Sequence, residues 1–482
     1  MLRCSPSIHP GSRLFSTTPA FLANPIKAKR PDPNSSGPQK GVKSLKIKKK
    51  NTLRSAGRPP APGERKALRK RIVLSNTNAL EVKGMQDLSN DNMADKQIQG
   101  TVVGLPGPLV DQLRAAEAFR TGQGWGLFRR PGVLMRENSL EIARDLQDVV
   151  SGKKTLRRIY TGERGSGKSV VLLQAIAMAF LKDWVVVTIP EASQNRIAQD
   201  LTNAHTEYAP LSSSTTTPSQ YVQRAYTASL LSRISKANSA VLSDLKVSLS
   251  HKLRIPIQPG TSLSHLADLG VRDPDIAWPI FQALWGELTS TKAARPPIML
   301  TLDGLGHIMR DSQYRDPAFK PIHAHDLTIA RHFVDHLSGV RSLPNGGAVL
   351  AATSASNVPF APSLALAIDQ RLHPTTSASS PSPSSSSSLS SSQQMPVWRK
   401  PVQRNPFMTY DERVLQSITP DLEIVELQGL TREEARGLME YYAASGMLRH
   451  RVDESFVTEK WTIAGGGIVG EIEKASVMGP RV

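Results

Sequence analysis

The stretch that decides the fold is RRIYTGERGSGKSVVLLQAIAMAF, residues 157–180. It has three parts: a short β-prone run, a glycine-rich octapeptide at 162–169, and an apolar helix-forming run at 170–180. The octapeptide, Gly162-Glu163-Arg164-Gly165-Ser166-Gly167-Lys168-Ser169, fits the pattern G-x-x-x-x-G-K-[ST], and a strand before it with a helix behind it is the context that pattern needs. Gly162, Gly165 and Gly167 allow backbone conformations closed to other residues, so the loop's N–H groups can converge on phosphate oxygens. The N-terminus of the following helix adds its positive end to the same field. Lys168 is the residue expected to reach the β- and γ-phosphates, and Ser169 the hydroxyl expected on Mg2+. Glu163, Arg164 and Ser166 complete the candidate nucleotide-binding loop.

A second element, PPIMLTLDGLGHI at 296–308, carries an apolar run without alternation, as a central parallel strand requires. Asp303 closes that run and is placed to hold Mg2+ through water; the plainer alternative is a turn aspartate after a strand. In many ATPases of AAA-like classes a glutamate follows this aspartate and polarises the attacking water. Gly304 stands there instead, which removes the obvious general base. A third strand, GGAVLAATSASN at 346–357, ends in Thr353, Ser354 and Asn357, placed as a sensor of the γ-phosphate or simply as a polar loop. The Asn-Lys-x-Asp motif by which small GTPases read guanine is absent.

Charge is distributed unevenly. Residues 1–71 carry 18 Lys/Arg against two acids, Asp32 and Glu64, a net +16 of the chain's +19, while the remaining 411 residues are near neutral. The first 31 residues lack acids and mix Arg3, Arg13, Lys27, Lys29 and Arg30 with Ser, Thr, Pro and Ala, the composition of an organelle transit peptide. RLFST at 13–17 resembles a mitochondrial processing site, with cleavage after Phe15. The basic extension that follows, 32–98, holds Lys43, Lys46, Lys48, Lys49, Lys50, Arg54, Arg58, Arg69, Lys70 and Arg71. Its expected partner is a polyanion, because such a run neutralises phosphates and releases their counterions whatever the sequence. No aromatic residue occurs from 22 to 118, so base stacking is unavailable there and contact to folded RNA would run through backbone and shape. A solvated charge run or an anionic membrane contact is the alternative. The one cysteine, Cys4, falls in the leader, which removes disulfides and thiolate-ligated metals from the mature chain. No apolar stretch is long enough to span a bilayer.

Further elements follow from pattern. ENSLEIARDLQDVVSG at 137–152 reads as a helix, with Asn138 and Glu141 in a capping arrangement. LTREEARGLMEYYAASG starts at a Thr431/Glu434 capping box and stops near Gly446. LEIVEL at 422–427 reads as a further strand, and 374–396 as a Ser-rich low-complexity segment. His332 and His336 are four apart, the spacing of a zinc pair, but Phe333 follows the first and no complete ligand set exists. Surface or helix-capping histidines are the expectation.

Taken in order, ALRKRIVLSNTNALEV, YTGERGSGKS, VVVTIPEA, MLTLDGLGHI, GGAVLAATSASN and LQGLTREEARGLMEYYAASG resemble the death-associated protein three family, the P-loop proteins of the mitochondrial small ribosomal subunit. The likeness runs from about residue 70 to the C-terminus, and the poly-serine insertion resembles a fungal member. It implies an α/β fold: an AAA-type P-loop NTPase core with a parallel sheet, a helical C-terminal lid and a disordered basic N-terminal extension. The implied organisation is a transit peptide at 1–31, an RNA-binding extension at 32–98, a nucleotide-binding core at 99–365, a Ser-rich insertion at 366–408, and the last core strand with the lid at 409–482. It also implies GTP or GDP (ATP is possible) with Mg2+, rRNA and other small-subunit proteins as partners, contact with the large subunit, and a place in the mitochondrial matrix. Hydrolysis is left open: the P-loop is intact, but Gly304 replaces the catalytic glutamate after Asp303, which argues against an enzyme. An active mitochondrial ATPase and a GTP-binding apoptotic or signalling adaptor are the rival readings. One departure is AGGGIVGE at 464–471, where the family has a Gly-Asn pair; it leaves the contacts of the lid open.

Overall fold

Apolar runs become the five strands of one parallel sheet in the computed structural model of the chain, which describes residues 72–120, 122–190, 208–210, 220–355, 360–373 and 403–477. In chain order they are β1 (Thr155–Thr161), β2 (Val185–Ile189), β3 (Ile298–Asp303), β4 (Gly347–Ala352) and β5 (Glu423–Glu426). Their spatial order is β5-β1-β4-β3-β2, with every neighbouring pair parallel. The inner strands β4 and β3 are buried on both faces, apart from Asp303 at the end of β3, which keeps a small exposed fraction. That explains their unbroken apolar sequence: helices cover both faces of a parallel sheet.

Alternation sorts the strand residues between two cores. Ile159, Val187, Leu300, Leu302, Val349 and Ala351 face one of them, with α4 (Arg224–Ala237), α5 (Leu263–Arg272), α6 (Ala277–Leu288) and α7 (Thr328–Leu337). Tyr160, Val186, Met299, Ala348, Leu350 and Ala352 face the other, beneath α1 (Gly107–Ala115), α2 (Glu137–Gly152) and α3 (Lys168–Leu181). α3 is apolar nearly all round, and its one interior polar residue, Gln174, is buried but satisfied by Ser139 (2.8 Å) and the Leu134 carbonyl (2.7 Å). A third cluster joins α9 (Arg432–Ala444), α10 (Glu454–Ile463) and α11 (Val469–Ser476) to residues near 82–134, with Phe128 stacked on Tyr442. The Thr431/Glu434 capping box that begins α9 forms as expected. Among the described residues no helix is long and apolar enough to cross a membrane.

Three boundaries differ from the sequence reading. Residues 72–98, assigned above to the basic extension, belong to the folded unit: Leu74, Leu88, Met93 and Ile98 are buried. They were hard to read because their apolar residues follow neither helical nor strand spacing and sit in turns closed by side chains, such as Asn92 Oδ1 accepting from Ser89 N–H at 2.9 Å. The Ser-rich insertion does not begin at 366, because α8 (Pro362–Leu372) runs into that range with Leu366, Ala367 and Ile368 buried. α2 starts at Glu137, one residue before Asn138, with Arg136 at its N-cap position and Ser139 Oγ accepting from the Arg136 N–H (3.3 Å). The leader, the basic residues from Lys43 to Arg71, the poly-serine run and Asn357 lie outside the described residues.

The paired histidines of the sequence reading are not surface residues. His332 and His336 on α7 are buried against Trp285, with ring centroids 4.4 and 5.0 Å from it. His325 is also buried, while His323 caps a short helical turn by accepting from His325 N–H at 3.1 Å. Among the described residues no group of three or more His, Cys, Asp or Glu side chains is placed to hold a metal ion. Burial lowers the pKa of His325 to about 3, with His323 and Arg413 adding to the effect, and of His336 to about 4, with Arg341 adding; His332 falls well below its usual value, again by burial first. These rings stay neutral when folded but bind protons once unfolded below about pH 6.5, so unfolding takes up protons and stability rises with pH. Their contribution is complete above about pH 6.5 and is lost as pH falls toward 4. The melting temperature is therefore expected to drop steeply between pH 6.5 and 4.5, each ring contributing up to about 1.4 kcal/mol per pH unit. His332→Phe, which keeps a ring against Trp285, should flatten that dependence; an unchanged slope would remove the assignment.

Candidate nucleotide site

The glycine-rich loop joins the end of β1 to the start of α3, with Gly167 at the helix N-cap. It lies at the C-terminal edge of the sheet. Tyr160, Ala352 and Asp303 are register partners across β1, β4 and β3, so Asp303 sits two strand spacings, about 10 Å, from the strand that feeds the loop. Backbone geometry accounts for the first glycine. Gly162 has φ +132°, and a Cβ there would meet the Leu427 carbonyl oxygen at 2.7 Å, so a side chain is excluded by both conformation and space.

Lys168 is buried, and its Nζ donates to the Gly162 and Glu163 carbonyls at 2.8 and 2.7 Å. The ammonium is thus held at the concave side of the loop by the loop's own backbone. Glu163, Arg164 and Gly165 are exposed, Ser166 is buried, and Ser169 is half-buried in the first turn of α3. Thr353 follows β4 and ties it to the start of the loop: its N–H donates to Tyr160 O (2.9 Å) and its hydroxyl approaches Thr161 Oγ1 (3.3 Å). Ser354, half-buried, comes next. Of the three residues read as a sensor, the structure therefore brings Thr353 beside the loop.

Asp303 forms an ion pair with Arg120, both side chains being largely buried at 13% and 18% exposure. Gly304 has φ +83° and donates its N–H to Ala352 O at 3.0 Å. A glutamate at this position would have to adopt the left-handed conformation that L side chains disfavour. The glycine at 304 therefore answers a need of the backbone itself.

Three contacts had no local signal in the sequence. Arg136, buried beside the loop, donates to Ser166 O (3.1 Å), Gln428 O (2.8 Å) and Gly429 O (3.3 Å), and its Nε lies 3.8 Å from Glu434. Burial lowers its pKa and Glu434 opposes that shift. One guanidinium therefore fastens the loop, the segment after β5 and the start of α9. The AGGGIVGE stretch, whose contacts the sequence left open, seats on the loop through Gly470 N–H to Gly165 O at 3.0 Å. Arg120 is the third. Each pairs residues far apart in sequence, so no periodicity announces them. The arrangement offers a cradle of backbone groups, a held ammonium and a carboxylate already matched to a cation, which are the elements that bind a phosphorylated ligand with a divalent ion.

Residues 133–475 match the family described as mitochondrial ribosomal death-associated protein 3. A small ribosomal subunit protein mS29 from Neurospora crassa is 43% identical over 470 residues, covering 97% of this chain and 93% of that protein. The protein of the same name from Schizosaccharomyces pombe is 22% identical over 360 residues, 74% of this chain and 67% of its own length.

Proposed function

The chain belongs to the mitochondrial ribosomal death-associated protein 3 family, and from that premise we propose that it is a structural protein of the mitochondrial small ribosomal subunit which holds a guanine nucleotide. The observation that carries the ribosomal role is the 43% identity to a small-subunit protein across 97% of the chain. The nucleotide rests on the loop at 162–169, set between a parallel strand and the helix it feeds. The strand order supports an AAA-type P-loop core, and the helices α9 to α11, seated on the loop through Gly470, support the reading of a lid. Ser169 and Asp303 are the residues that would hold Mg2+, and the pairing of Asp303 with Arg120 fits a carboxylate position built to face positive charge. Mg2+ when bound supplies charge neutralisation to the phosphates. Gly304 leaves no glutamate to activate water, which favours holding the nucleotide over cleaving it. The nucleotide then stabilises the core by mass action, since it binds only the folded state. The basic residues from Lys43 to Arg71 serve as an arm along ribosomal RNA, and the chain works in the mitochondrial matrix.

Sedimentation of mitochondrial ribosomes followed by denaturation and chromatography of the released nucleotide tests both parts. GDP or GTP equimolar with the protein in the small-subunit fraction is the expected result. A protein absent from that fraction overturns the ribosomal reading, and a fraction without nucleotide overturns the second part. Turnover of ATP at about one per second or faster by the purified chain would favour the remodelling ATPase instead.

A further inference from the structure

We propose that Arg120 is the resident cation of the Asp303 carboxylate and competes there with Mg2+, so that this side chain sets how far nucleotide binding depends on the metal. The inference rests on the nucleotide reading above and goes beyond it by giving a role to a residue outside every motif. The ion pair joins positions 183 residues apart, and Arg120 is held in place by its surroundings. Phe119, next to it, is buried edge-on against Trp125, with centroids 5.1 Å apart. The Arg120 N–H donates to Gln123 Oε1 at 3.0 Å, and the same oxygen accepts from Trp125 Nε1 at 2.6 Å. Upstream, Thr188 Oγ1 on β2 donates to the Ala116 carbonyl at 2.7 Å, tying the end of α1 to the strand beside β3. The chain leading to Arg120 is thus tied to the sheet at Ala116, and the Gln123 side chain holds the Arg120 backbone from the other side.

The chemistry follows from charge. A largely buried carboxylate needs a cation or several hydrogen bonds to remain ionised. In the folded chain Arg120 is that cation. Mg2+ arriving with a nucleotide would draw on the same carboxylate, so the guanidinium and the metal would compete for its charge. With Arg120 present, a nucleotide entering without metal meets a carboxylate already neutralised. Without Arg120 the carboxylate loses this counter-charge, so metal would contribute more to holding the phosphates beside it.

Fluorescent N-methylanthraniloyl-GDP binding to the full chain, in excess Mg2+ and in EDTA, reads this directly. The ratio of the two dissociation constants is the quantity compared. In Arg120→Gln the ratio is expected to exceed the wild-type ratio by about tenfold, the scale of one charge-assisted contact, through weaker binding in EDTA. Arg120→Lys keeps the charge but loses the fork, so it should raise the ratio by less; it also serves where Arg120→Gln fails to fold. Equal ratios in a folded variant and wild type overturn the proposal, since a merely structural role would weaken both conditions alike. Wild-type protein that binds the probe in neither condition overturns the nucleotide reading itself, a distinguishable failure.

Discussion

Glu287→Ala is expected to cost about 3–5 kcal/mol of stability, a large share of the roughly 5–15 kcal/mol usual for a folded domain. Glu287, near the end of α6, is fully buried and accepts from Ser248 N–H (3.0 Å), Ser248 Oγ (2.8 Å), Leu249 N–H (2.7 Å) and Arg295 (2.6 Å), with His251 Nε2 at 2.9 Å. Burial alone would raise its pKa, but the bonds from Leu249, His251 and Ser248 outweigh that effect and hold it below the usual carboxylate value. Removing the carboxylate leaves the Arg295 guanidinium buried with only the Lys246 carbonyl (2.7 Å) and Ser248 Oγ (3.1 Å) for company. It also leaves two backbone N–H groups without their acceptor, at about 1–3 kcal/mol each. Urea denaturation of the full chain measures the loss. Arg295→Met added to Glu287→Ala should recover only part of it, because the N–H groups of Ser248 and Leu249 remain unpaired in the double variant. Full recovery would show that the charge pair alone set the cost.

How much of this was legible in the sequence depended on the range of each interaction. The strands β3 and β4 announced themselves because a strand buried on both faces must be apolar throughout, and the octapeptide because its glycines serve backbone needs that no other residue meets. Asp303 was legible from its position at the end of β3. What stood opposite it was not: Arg120 lies in a loop of ordinary composition, and only the folded sheet brings it there. Arg136 is likewise joined to Gln428 and Gly429 across almost 300 residues. The start of the folded unit was misplaced for the opposite reason. The stretch at 72–98 is held by turns and scattered apolar anchors, and local periodicity carries no record of such packing. The histidines misled because spacing cannot tell a ring that faces water from one that faces Trp285.

Lys168→Ala is expected to weaken GDP binding by roughly 10- to 100-fold, and GTP binding by more. A charge-assisted hydrogen bond contributes about 1.5–3 kcal/mol, and the ammonium is expected to serve both the β- and γ-phosphates, so the loss compounds when the third phosphate is present. The folded chain keeps Nζ within 2.8 Å of the Gly162 and Glu163 carbonyls. Lys168→Arg should fail nearly as badly, because a planar fork does not replace a compact ammonium inside a tight loop. Calorimetric titration with each nucleotide, beside the melting temperature of the nucleotide-free protein, separates site from scaffold. The variant should melt within a few degrees of wild type without nucleotide, since the change is confined to one loop side chain, but should gain no stability when GDP is added. Undiminished nucleotide binding would instead make the loop a structural turn between β1 and α3. In that case the protein's stability would rest on Arg136 and the helices packed over the loop, with no bound ligand contributing.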